Sequence, residues 1–241
     1  INVNKDGGGG VLDATAASVE SVDEEGERTA GARPTTGLRL EVENWTRMNK
    51  KDALIFIPGF NSWLTHSLAT FGQMMAMTRM SQKVIPILFA FPGGQVPTYR
   101  QASFISGSEK NRMNFLQLLK GLQAEGVQNI HIVSHSLGVQ TLMAAFEDNA
   151  DGSPSLVSRC FGPAPTYRNT GGSMSDFGER LVCRSITMLN PDFPLHAFRE
   201  GGFKSLRNVA SLITIVGDKA DQALFWSSLI NGACNSFGWS Q

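Results

Sequence analysis

The stretch Ile130-His131-Ile132-Val133-Ser134-His135-Ser136-Leu137-Gly138-Val139 decides the fold of this chain. Its first residues are mostly β-branched and apolar, which is typical of a buried strand. After it, apolar residues recur at helical spacing, at Val139, Leu142, Met143 and Phe146. The sequence therefore predicts a strand that runs directly into a helix.

A serine lies at the junction of this strand and helix. Ser136 has Ser134 two places before it and Gly138 two places after it. A nucleophile elbow needs small residues at both places, because its strained turn pushes the serine hydroxyl clear of the backbone and bulkier flanks would clash. Short serine and glycine motifs also arise by chance, but the position between a strand and an amphipathic helix favours the elbow. Ser136 is the predicted nucleophile.

Apolar runs and helical stripes alternate along most of the chain. A capping box, Ser106-x-x-Glu109, precedes a helical stripe that ends near Gly126, and a further helix is predicted over 64–80. The predicted strands are 53–57, 84–91, 130–133, 185–189 and 212–216. Pro86 within the second strand indicates a bulge or a position near an edge. The alternation predicts an α/β fold with a mostly parallel central sheet and helices on both faces.

At these motifs the chain resembles the α/β-hydrolase superfamily, and within it a family of serine-hydrolase-like proteins known as domain of unknown function nine hundred. The likeness runs from about Leu54 to Leu224. It is carried by the serine motif and by Ile57-Pro58-Gly59-Phe60-Asn61, Phe89-Ala90-Phe91-Pro92, Asn190-Pro191-Asp192 and Gly217-Asp218. Two residues depart from the family pattern: Pro58 replaces a histidine, and Ser134 replaces the commonest first glycine. Neither departure removes a group that does covalent chemistry.

The resemblance implies a serine hydrolase that cleaves acyl esters or lipids. By position, the backbone N–H groups of Phe60 and Leu137 form the oxyanion hole. Asp218 is the expected catalytic carboxylate, because the superfamily usually places the acid after the penultimate strand. Asp192 is the alternative. No metal or organic cofactor is implied.

The sequence does not contain the catalytic base where this interpretation requires it. The order Ser, Asp, His requires a histidine after Asp218, and none occurs up to Gln241. We therefore expect the base, and with it a C-terminal part of the fold, to lie beyond residue 241. His196 follows a strand and is the alternative base. His131 is expected to be a core residue within the strand, and His66 is expected on the surface. His135 is next to Ser136, and its side chain is expected to point away along the elbow.

An incomplete triad opens a second interpretation. Loss of the base can reduce turnover about a millionfold, so the fold would then serve as a structural or binding subunit of a larger assembly, with protein partners. A third alternative is a carrier of a small acyl ligand in a vestigial pocket. A histidine in a longer form of the chain would favour the enzyme.

The chain outside the motifs divides by composition. Residues 1–36 contain Gly7-Gly8-Gly9-Gly10 and few large apolar side chains, which predicts a flexible tail, and 37–241 form the hydrolase-like domain. Within it we expect an edge strand at 38–42, a substrate-contacting loop at 95–103 that carries Tyr99 and Arg100, and a helix at 221–230. The irregular segment 150–183 is expected to be a lid or a partner-binding insertion.

Charge and cysteine content exclude several classes of protein. Lys plus Arg and Asp plus Glu both number 21, so no excess charge favours nucleic acid, and no apolar run is long enough for a transmembrane segment. Three widely spaced cysteines predict neither a disulfide framework nor a zinc site. They favour a reducing compartment inside the cell, or an organelle if the N-terminus is processed; the compartment itself stays unknown.

Overall fold

The computed structural model describes residues 51–80, 83–92, 98–164 and 180–218. In chain order these residues form β1 (Asp52–Ile57), α1 (Leu64–Thr78), β2 (Ile85–Leu88), α2 (Tyr99–Ser106), α3 (Glu109–Ala124), β3 (Asn129–His135), α4 (Gly138–Phe146), β4 (Val182–Leu189), α5 (Leu195–Ala197), α6 (Phe203–Val209) and β5 (Ala210–Val216). A 3-10 turn occupies Ser158–Cys160, and a π-helical segment, Phe198–Gly202, joins α5 to α6.

The five strands form one sheet in the order β2-β1-β3-β4-β5, and every neighbouring pair is parallel. This confirms the predicted α/β fold. β2 lies at one edge of the described sheet, where Pro86, which has no N–H to donate, is tolerated. The carboxyl ends of all five strands therefore lie along the same edge of the sheet.

Helices pack on both faces of the sheet. On one face, Leu54 and Phe56 of β1 pack in a buried cluster with Phe71 and Met75 of α1, and the rings of Phe56 and Phe71 stack 5.3 Å apart. Because side chains alternate along a strand, Ile57 points to the opposite face, where its Cγ2 atom lies close to the first residue of α4. Burial on both faces explains why β1 is apolar from Ala53 to Ile57.

Several predicted boundaries need correction. The predicted strand 84–91 is shorter, and the strand predicted at 185–189 begins three residues earlier. The capping box at Ser106 is wrong: Ser106 ends α2, and the side chain of Ser108 caps α3 by accepting the N–H of Asn111 at 3.3 Å. Between the two helices, Gly107 caps the end of α2 and Ser108 caps the start of α3.

The predicted loop 95–103 is also corrected in part, because residues 99–103 belong to α2. Residues 182 and 183, taken from sequence as irregular, belong to β4. The predicted tail 1–36, the edge strand 38–42, the helix 221–230 and the middle of the 150–183 segment lie outside the described residues. The division at residue 36 stays a prediction.

Two further properties of the described part bear on the sequence predictions. None of its helices combines the length and apolarity needed to cross a membrane. Cys160 and Cys183 are free thiols, and complete burial raises the pKa of Cys183 to about 12.

Candidate active site

Ser136 lies in the turn between β3 and α4, as predicted, and its backbone is left-handed with φ at 48°. A non-glycine residue in this region carries about 1–3 kcal/mol of strain and persists only where its surroundings hold it. The surroundings here are backbone hydrogen bonds. The Ser136 N–H donates to the carbonyl of Leu189 at 2.9 Å, and the Ser136 carbonyl accepts the N–H groups of Val139 at 3.0 Å and Asp192 at 3.2 Å.

Two glycines let the loop after β1 approach this turn. A Cβ atom on Gly138 would lie 2.5 Å from the carbonyl oxygen of Pro58 and 2.7 Å from that of Ile57. A Cβ atom on Gly59 would lie 2.9 Å from the Cβ of Ser136. Only glycine fits such close contact. A small residue is therefore required both in the elbow, at Gly138, and in the loop after β1, at Gly59.

Ser134, at the other flank of the motif, is accommodated differently. It is completely buried, and its hydroxyl has no hydrogen-bond partner among the residues that the structure describes. The site therefore has room for a serine side chain, but the described residues around it offer its hydroxyl no acceptor. A buried unpaired hydroxyl is destabilising.

The two predicted oxyanion-hole residues lie on either side of this contact. Phe60 directly follows Gly59, and its ring packs edge to face on Tyr99 with the centroids 5.1 Å apart. Leu137 is buried and immediately precedes α4, where backbone N–H groups have no acceptor within the helix. Their roles as donors stay predictions.

The two candidate carboxylates have contrasting environments at the carboxyl edge of the sheet. Asp192 follows β4, is only 2% exposed, and its Oδ2 atom accepts the hydroxyl of Tyr99. Asp218 follows β5 and is exposed. Its backbone N–H donates to the side-chain oxygen of Asn190 at 2.8 Å, while the Asn190 N–H donates to the carbonyl of Val216 at 2.7 Å.

A comparison with protein families agrees with this geometry. Residues 39–239 match the family model described as alpha/beta hydrolase of unknown function (DUF900). The chain belongs to this family. Comparison of the DUF900 chain with curated proteins found no match, and comparison with solved structures found none either.

The histidines of the DUF900 chain are spread over the described fold. His66 on α1 and His196 on α5 are exposed. In β3, Nδ1 of His131 lies 2.8 Å from the hydroxyl of Ser185. Burial lowers the pKa of His131 from 6.5, although Asp52 attracts the charged form. This half-buried, bonded state is close to the core position expected for His131.

His135 lies beside the loop after β1. Its Nδ1 atom is 3.1 Å from the position that a Cβ on Gly59 would occupy, the same position that the Cβ of Ser136 approaches. The imidazole therefore lies beside the oxyanion loop.

Sequence reasoning missed the contacts of Tyr99, Asn190 and Gln140. Asn190 has φ at 42°, a conformation that asparagine adopts more readily than most residues, and it opens the Asn190-Pro191-Asp192 motif. An asparagine at this position was therefore a signal from which the left-handed backbone could have been predicted. Tyr99, proposed as a substrate contact, is instead 8% exposed and bonded to Asp192, while its neighbour Arg100 is exposed.

Among the residues that the structure describes, no three His, Cys, Asp or Glu side chains group closely enough to hold a metal ion.

Proposed function

We propose that this DUF900 protein is a serine hydrolase that cleaves acyl esters or lipids through Ser136. The observation that carries the proposal is the left-handed backbone of Ser136 at a strand-to-helix turn. Strain of this kind supports a functional role, because it is retained only where the surroundings impose it. The close approach of Gly59 to the Cβ of Ser136 adds to the support, since it puts the loop after β1 beside the nucleophile.

In the proposed reaction the Oγ atom of Ser136 attacks the acyl carbon and its proton passes to a histidine. The carbonyl electrons move to the oxygen, and the N–H groups of Phe60 and Leu137 stabilise the negative charge. When the carbonyl re-forms, the leaving alcohol takes the proton from the histidine. Water then attacks the acyl-serine by the same route and releases the carboxylic acid.

Asp218 is the proposed carboxylate that orients the histidine. It is exposed at the carboxyl edge of the sheet, and the Asn190 side chain holds its backbone. His196 is the alternative base within this sequence, and Asp192 the alternative acid. A small acyl or lipid substrate fits the proposed chemistry, and no metal or organic cofactor is needed for it.

The proposal is tested by labelling the purified full-length protein with a fluorophosphonate, which phosphonylates an activated serine. We expect the wild type to be labelled, Ser136→Ala not to be labelled, and the control Ser153→Ala, in the loop after α4, to be labelled at the wild-type rate. His196→Gln and Asp218→Asn show whether these residues contribute. Absence of labelling in a folded wild type, or labelling that survives Ser136→Ala, contradicts the proposal.

The second candidate function is that of a noncatalytic structural or binding subunit with protein partners. The positions of three of the four histidines favour it: His66 and His196 are exposed, and His131 is engaged with Ser185 inside the sheet, while His135 lies beside the oxyanion loop. This function predicts a wild type that unfolds cooperatively but is not labelled. A carrier of a small acyl ligand predicts the same, together with saturable binding of a fluorescent fatty acid.

A further inference from the structure

Asp192 is the one acidic side chain that is buried among the residues that the structure describes. A carboxylate is rarely buried unless it is paired, because removal from water disfavours its charge. Tyr99, itself 8% exposed, donates its hydroxyl to Oδ2 of Asp192. The pair joins the first residue of α2 to the segment that follows β4.

Each member of the pair also contacts one side of the proposed oxyanion hole. The ring of Tyr99 packs edge to face on Phe60, with the centroids 5.1 Å apart and the planes at 77°. Asp192 donates its backbone N–H to the carbonyl oxygen of Ser136 at 3.2 Å. That oxygen and the N–H of Leu137 belong to the same planar peptide unit, so the hydrogen bond fixes the direction in which the Leu137 N–H points.

A second connection holds the same segment. Gln140 of α4 donates from Nε2 to the carbonyl oxygen of Asp192 at 3.2 Å. Its Oε1 atom accepts the hydroxyls of Ser103, at 2.8 Å, and Ser106, at 3.2 Å, both on α2. The backbone of Asp192 is therefore tied to α4 and α2 independently of its side chain.

We infer that Tyr99 and Asp192 are a positioning pair that sets the separation of the two oxyanion donors, and that Asp192 is not the acid of the triad. The inference rests on the proposed function of Ser136. In this role Asp192 needs only to accept a hydrogen bond, so a neutral acceptor can replace the carboxylate. A triad acid needs its negative charge to stabilise the imidazolium ion, so an amide cannot replace it.

The test compares fluorophosphonate labelling of Tyr99→Phe, Asp192→Asn and Asp192→Ala. Labelling is followed at several fluorophosphonate concentrations, so that the maximal labelling rate and the half-saturating concentration are obtained separately. Tyr99→Phe keeps the ring and removes the hydroxyl. Because loss of one oxyanion donor costs about a hundredfold to a thousandfold, a misplaced donor should lower the maximal rate about tenfold. The half-saturating concentration should not change. Asp192→Ala should be similarly slow, and Asp192→Asn should be close to the wild type.

Ser155→Ala is the control for general loss of stability, since it removes a buried hydrogen bond to the Ala145 carbonyl at the far end of α4. It should lower the unfolding midpoint without changing the labelling rate. The inference is overturned if Tyr99→Phe is labelled at the wild-type rate. It is also overturned if Asp192→Asn is as slow as Asp192→Ala, which would make Asp192 the triad acid.

If the wild type is not labelled, the proposed function fails, and the pairing is then tested by amide NMR signals. Tyr99→Phe should shift the signals of both Phe60 and Leu137, and Ser155→Ala should shift neither. Unchanged signals in Tyr99→Phe overturn the inference whether or not the protein is an enzyme.

Discussion

The carbonyl oxygen of Pro58 lies 2.5 Å from the position that a Cβ atom on Gly138 would occupy. The obstacle is backbone, which cannot move aside as a flexible side chain can. Gly138→Ala should therefore force the loop after β1 away from the elbow and destabilise the protein by about 3 kcal/mol, the upper end of the usual cost of overpacking. Urea unfolding measures the change.

Gly72 is the matched control for this substitution. It lies inside α1, and a Cβ atom there would meet nothing within 4 Å. Gly72→Ala should stabilise the protein by about 0.5–1 kcal/mol, because glycine is a poor residue for a helix interior. Similar effects of the two substitutions would show that the contact between Gly138 and Pro58 is looser than described.

The left-handed backbone of Ser136 predicts a conflict between stability and activity. Ser136→Gly should raise the free energy of unfolding by about 1 kcal/mol, because glycine adopts a positive φ without steric cost, and should abolish fluorophosphonate labelling. Urea unfolding and labelling are measured on the same preparation.

Arg79 offers the comparison, since it ends α1 in a similar conformation, with φ at 53°. Arg79→Gly should give a similar gain in stability with labelling unchanged. A loss of stability in Ser136→Gly but not in Arg79→Gly would mean that the serine side chain stabilises the turn.

The buried hydroxyl of Ser134 predicts a stabilising substitution. Ser134→Ala removes a polar group that has no partner in the described structure, and should raise the free energy of unfolding by about 1 kcal/mol. Ser155→Ala should have the opposite sign, because the Ser155 hydroxyl donates to the Ala145 carbonyl at 2.8 Å. Calorimetric unfolding midpoints compare the two. If both substitutions destabilise the protein, the Ser134 hydroxyl has an acceptor in solution.

The elements that sequence predicted well are those whose signal is local. β1 is apolar from Ala53 to Ile57 because both of its faces are covered, and the elbow needs a serine between small residues at fixed spacing. α2 was missed because its buried residues, Tyr99, Ala102 and Ser106, do not form an apolar stripe. Propensity and pattern are weak where small or polar side chains are buried.

The part of the site that could be predicted is the part that depends on where each residue stands relative to a strand end in the sequence. Strand ends placed Ser136, Asp192 and Asp218 at the same edge of a parallel sheet. The bond between Tyr99 and Asp192 spans 93 residues and depends on how α2 packs, which no local pattern encodes. Because both residues are aspartates that follow a strand, the sequence alone could not show that Asp192 is buried and bonded while Asp218 is exposed.

The half-buried histidine of β3 predicts how stability depends on pH. Burial lowers the pKa of His131 in the folded protein, Arg184 adds to the effect and Asp52 opposes it. The unfolded chain binds a proton more readily, with a pKa near 6.5, so protonation favours unfolding. The contribution of neutral His131 to stability is complete above pH 6.5 and is lost as pH falls towards the lower folded pKa.

His131→Gln removes the titration while keeping a side chain that can bond to Ser185. The free energy of unfolding of the wild type should fall more than that of His131→Gln between pH 7.5 and pH 5.5, and subtraction of the two curves cancels the other titrating groups. Urea unfolding at several pH values measures the difference. A difference that stays constant would mean that folding does not change the pKa of His131. A difference that grows in favour of the wild type at low pH would mean that the attraction of Asp52 outweighs burial.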